Sequence, residues 1–146
     1  MSTPAPAPRP PGATVLAVAA GAVAGALARH GASRWLPVPA HGWPVATTAV
    51  NLLGCLALGV LLEALARRGP ETARRCLVRL GVGTGLLGSF TTYSALAVEV
   101  DLLARDGAWG LALAYPLASV VAGVALCAAG AALGARLVPR SAGEGA

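Results

Sequence analysis

Three short polar stretches interrupt an otherwise apolar chain, and their spacing suits helices. Thr47 and Asn51 are four residues apart, as are Tyr115 and Ser119, with Gly123 continuing the second stripe. Residues at that spacing share one helix face. Between the two pairs lies Gly88-Ser89-Phe90-Thr91-Thr92-Tyr93-Ser94, a polar patch inside the run GVGTGLLGSFTTYSALAVEV. The side chains offer hydrogen-bond donation, from the amide of Asn51 and the hydroxyls of Ser94, Tyr115 and Ser119. The backbone offers something else. A helix that turns polar and glycine-broken at membrane depth frees peptide groups, which must find partners in protein, water or ions. Discontinuous spans of this kind sit where membrane proteins handle their ions, so residues 88–94 are the expected functional centre.

Plainer readings stand beside these. Threonine hydroxyls in membrane helices often bond back to their own backbone, the favoured expectation for Thr47 and Thr48. Asn51 reads either as glue between helices or as the lining of a polar pathway. Arg29, at the end of the first apolar run, is either a snorkelling topology charge or a charge that draws anions into a wet vestibule.

The elements that must position these residues follow from composition. Of 146 residues, 56% are hydrophobic and 12% are charged, about half the charged share of a soluble domain. The pattern predicts an all-α membrane protein with four transmembrane helices at about 13–34, 44–66, 76–103 and 108–137, the third broken near its middle. Together these form one membrane domain over 13–138. The proline-rich residues 1–12 read as a disordered tail, and 139–146 as a polar tail. Leu36 to Trp43, with Pro37 and Pro39, reads as a short loop. Gly21 and Gly25 form a GxxxG that allows close helix approach.

The net charge of +5 comes from arginine alone, with no lysine. The arginines flank apolar spans, which argues against a nucleic-acid surface. Arg9, Arg67, Arg68, Arg74, Arg75, Arg79, Arg136 and Arg140 fall on one side and Arg29, Arg34 and Arg105 on the other, eight against three. The positive-inside rule then puts both termini in the cytoplasm. Cys55, Cys76 and Cys127 include no CxxC pair and read as free, small apolar residues. His30 and His41 are isolated, and no nucleophile-elbow, zinc-helix or nucleotide-loop motif is present, so no enzyme is expected. Glu63 and Glu99 read as lying near span ends.

In order and spacing these fragments resemble the small fluoride channels of the CrcB/Fluc family, over roughly residues 13–137. The resemblance rests on GAVAGALAR ending at Arg29, on Thr47 to Asn51 followed by Gly54, on Gly88 to Ser94 with Glu99 beyond, and on Tyr115 to Ser119. It implies a fluoride-specific channel in the cell membrane that exports fluoride passively and protects against its toxicity. It also implies a dimer of oppositely oriented subunits, with two narrow pores along their interface. By motif matching, Asn51, Tyr93, Ser94, Tyr115 and Ser119 would line the fluoride pathway and Arg29 the vestibule. Backbone carbonyls of Gly88 and Thr91 would hold a structural sodium ion that is not transported.

The chain departs from the family's usual TTFSTF. It has Tyr93 where the first Phe would stand, Leu96 for the second and Ala95 for a Thr. The loss of one ring, together with the arginine bias, keeps open a non-conducting or half-competent subunit that pairs with a sister chain. A four-span multidrug antiporter is the remoter alternative, because no carboxylate lies in the first span.

Overall fold

The computed structural model describes residues 11–36 and 42–139. The tail over residues 1–10, the loop residues 37–41 with His41, and residues 140–146 lie outside them. Four helical stretches are long and apolar enough to cross a membrane. The first is α1 (Pro11–Trp35) and the second α2 (Val45–Ala66). The third is composite: α3 (Ala73–Val78), a π-helical stretch (Arg79–Leu87), the single turn α4 (Gly88–Phe90) and α5 (Tyr93–Arg105). The fourth is α6 (Trp109–Leu137). Helix α1 starts two residues earlier than expected. Its first residue is Pro11, and proline is tolerated there because the first helical N–H has no partner to lose.

Large apolar side chains cover the outside, as hydrocarbon surroundings require. Leu16 is 71% exposed and Val121 68% exposed. Lipid removes the hydrophobic drive to bury such residues, so small residues and close backbone approach hold the helices together. Helix α1 packs on the π-helical stretch in this way. A Cβ on Gly21 would collide with the Gly81 carbonyl, and one on Gly25 with the Leu86 carbonyl. Helices α2 and α6 pack similarly, Gly59 against the Cys127 carbonyl and Gly130 against the Leu56 carbonyl. They run in the same direction, so Thr47 and Tyr115 come to the same end. A small cluster of Leu103, Ala112 and Tyr115, flanked by Trp43 and Leu96, joins α5 to α6 there.

The third span was expected to begin as an ordinary helix. It does so in α3, but from Arg79 to Leu87 it is wound as a π-helix, a form that appears mostly in single turns and often at functional sites. Glycines at 81, 83 and 85 lie along it. Helix α6 continues through Pro116.

Candidate functional site

The break falls at Thr91 and Thr92. Both are extended, with ψ of 158° at Thr91 and φ of −147° at Thr92. Before it, the Leu87 carbonyl accepts from both the N–H and the hydroxyl of Thr91, at 3.0 and 2.9 Å. After it, the Thr92 hydroxyl accepts from the Ala95 N–H at 3.2 Å and caps α5. Asn51 reaches across from α2 to satisfy Thr92. Its amide nitrogen donates to the Thr92 carbonyl at 2.9 Å, and its amide oxygen accepts from the Thr92 N–H at 2.8 Å. The asparagine side chain thus stands in for the peptide group that a continuous helix would supply. In such a helix the Thr92 N–H would reach the Gly88 carbonyl; here Asn51 takes that donor.

Beyond the break stands Glu99, which sequence reasoning placed near a span end and left out of the pathway. It lies in the middle of α5 and holds three elements together. One carboxylate oxygen accepts from the Thr47 hydroxyl at 2.6 Å, the other from the Tyr115 hydroxyl at 2.7 Å. Thr47 therefore departs from the expected back-bond, because a carboxylate is the stronger acceptor. Thr48 keeps it, donating to the Pro44 carbonyl at 2.8 Å. Tyr115 is fully buried. The Trp43 ring meets it edge-on, with centroids 5.4 Å apart, and the Trp43 indole N–H donates to the Thr48 hydroxyl at 2.8 Å. One sequence signal could have singled out Glu99. A carboxylate between Val98 and Val100 is too expensive for lipid and so must face protein or water.

Of the residues expected to form one track, Ser94 lines one cleft and Asn51, Tyr93 and Ser119 line another, while the fully buried Tyr115 lines neither. The first, about 450 Å³, is lined by Arg29, Ser33, Thr47, Thr92, Ser94 and Glu99 among others. The second, about 480 Å³, holds Asn51, Gly88, Thr91, Tyr93, Leu96 and Ser119. The first carries charge of both signs, whereas the second is neutral. In the second, the Ser119 hydroxyl oxygen is buried with no hydrogen-bond partner among the described residues. The Ser94 and Thr92 hydroxyls lie 3.2 Å apart. Tyr93 lines the second cleft and is 82% exposed.

Gly88 needs no glycine for its own chain. A Cβ there meets nothing nearer than the Gly83 carbonyl, at 3.9 Å. Among the described residues no three His, Cys, Asp or Glu side chains gather as metal ligands.

Residues 16–131 match the family model described as CrcB-like protein, Camphor Resistance (CrcB). The chain is 46% identical over 106 residues to the fluoride-specific ion channel FluC 1 of Cutibacterium acnes, covering 73% of this chain and 74% of that one. It is 44% identical over 126 residues to FluC 2 of Leifsonia xyli, covering 86% of each. A third relative, the FluC channel of Phenylobacterium zucineum, is 44% identical over 127 residues, covering 84% of this chain and 96% of its own.

Proposed function

The chain belongs to the CrcB family, and on that premise we propose that it is a fluoride-specific channel, a multi-pass membrane protein that lets the ion run down its gradient. It is a passive transporter and not an enzyme. The observation that carries this reading is a set of hydroxyls inside apolar helices, those of Thr47 and Tyr115 converging on Glu99 and that of Ser119 buried without a partner among the described residues. Fluoride is small and strongly hydrated, so stripping its water is tolerable only where donors replace it. Thr47 and Tyr115 already point their hydroxyls at an anionic group, the Glu99 carboxylate. That geometry also suits a mobile anion which shares or exchanges those donors. The partnerless Ser119 hydroxyl is a donor held in reserve. A buried unsatisfied group costs about 1–3 kcal/mol, a cost that a passing acceptor removes. Arg29 at the first cleft supplies attraction, and Asn51 acts at second hand by holding the break in shape. Purified protein in liposomes should release fluoride and retain chloride. Equal release of both, or of neither, would refute the channel reading.

The working unit in this reading is a dimer of oppositely oriented subunits. Support comes from the exposed ring of Tyr93 and from Gly88, whose missing side chain nothing in its own chain requires. A second backbone approaching there explains the glycine. Two broken third spans meeting at residues 88–91 would bring carbonyls of Gly88 and Thr91 from both chains around one structural sodium ion. The diverted Thr92 N–H supports this, because it leaves the Gly88 carbonyl short of its helical donor. Exchanging sodium for a large organic cation should dissociate the dimer or silence it. Unchanged assembly and flux would refute the sodium site.

A further inference from the structure

Cys55 on α2 and Cys127 on α6 both line the neutral cleft, and the fluoride reading uses neither of them. Both thiols are free and half-buried. Gly123 makes room for the first. The point where its Cβ would stand lies 3.2 Å from the Cys55 sulfur. Cys127 is one turn further along the same face of α6. Side chains on a helix lean back toward its N-terminus, which brings the Cys127 sulfur toward Gly123 and so toward Cys55. Leu58, Gly83, Val120 and Val124 line the same cleft.

We propose that this pair is a binding site for a soft, two-coordinate cation, the mercuric ion being the type. The donor set selects the class. Zinc requires four ligands, and calcium and magnesium require oxygen. Two thiolates in an apolar wall suit a soft cation content with two bonds. Each thiol loses its proton to water as its sulfur–metal bond forms. One divalent ion and two thiolates then sum to zero charge. A neutral complex avoids the cost of burying a net charge, whereas a monovalent soft ion would leave one negative charge in the cleft.

The test uses the full-length protein in detergent carrying Cys76→Ser, so that two thiols remain, with Cys76→Ala as the substitute if that variant fails to fold. Mercuric chloride is titrated while thiolate–mercury absorbance in the ultraviolet and the remaining free thiols are followed. One mercury per chain should consume both thiols. It should also resist removal by a monothiol roughly 100-fold or more better than mercury on the Cys55→Ser or Cys127→Ser variant, because the second bond is intramolecular. Two mercuries per chain, or single-cysteine variants that retain the metal equally well, would overturn the site. None of these readouts depends on fluoride flux, so failure here and failure of the channel reading are told apart.

Discussion

The two clefts share Thr92 in their linings and differ in charge. The first is charged, with Arg29 and Glu99 in its lining. Charges there can draw an anion from water and keep their own hydration. The second has no charged side chain in its lining and offers the Ser119 hydroxyl and an exposed tyrosine ring. A charge fixed in it would be desolvated on all sides, at a cost that neutral donors avoid. In the proposed channel, attraction and dehydration would fall to different walls. Thr92 lines both, and Asn51 satisfies both of its backbone groups.

The sharpest way to break the comparison is to remove the side chain that holds Thr92, the residue both clefts share. Asn51→Leu leaves the N–H and C=O of Thr92 without partners, at about 1–3 kcal/mol each. Fluoride efflux should fall ~100-fold or more, since about 1.4 kcal/mol is a factor of ten, and thermal stability in detergent should fall with it. Normal efflux would mean that the break holds itself open without Asn51.

Neutralising the charged wall comes next. Glu99→Gln keeps the shape but replaces a charged acceptor with an amide, whose N–H2 group must face one of the two hydroxyls. Charge-assisted bonds are worth about 1.5–3 kcal/mol, so flux should drop roughly 10- to 100-fold. Tyr115→Phe should produce part of that loss. Flux that is indifferent to both changes would place the ion path away from Glu99.

In the neutral wall, function and stability should move in opposite directions. Ser119→Ala deletes a buried hydroxyl with no partner, so the melting temperature should hold or rise slightly. Efflux should nevertheless fall about tenfold, as one donor is worth about 1.4 kcal/mol at that ratio. A variant that melts earlier and conducts normally would show that Ser119 is only packing.

The smallest effect is expected behind the charged wall. Trp43→Phe retains a ring against Tyr115 but loses the indole bond to Thr48, worth about 0.5–1.5 kcal/mol. Melting should come a few degrees earlier, with flux reduced less than threefold. A larger loss of flux than Tyr115→Phe produces would give Trp43 a direct part in conduction.

Residue types and their spacing were enough to find four spans, a broken third one and polar stripes four residues apart. Periodicity and hydropathy are properties of a segment, and lipid enforces them strongly because an unsatisfied peptide group has no water to turn to. The same local patterns could not show which stripe meets which. Thr47 and Thr48 are adjacent and chemically identical, yet one bonds to Glu99 and the other to its own backbone. Only the rotation of α2 against α5 separates them. Asn51 was legible as a residue that needs partners; that its partners are the two backbone groups of Thr92 depends on the depth at which α2 passes the break. Glu99 was hidden for the same reason, since its importance comes from hydroxyls 52 and 16 residues away in the chain. Sequence alone settles which groups cannot face lipid. The tertiary structure settles which group satisfies which, because that depends on how glycine-lined helices such as α2 and α6 slide and turn until their backbones touch.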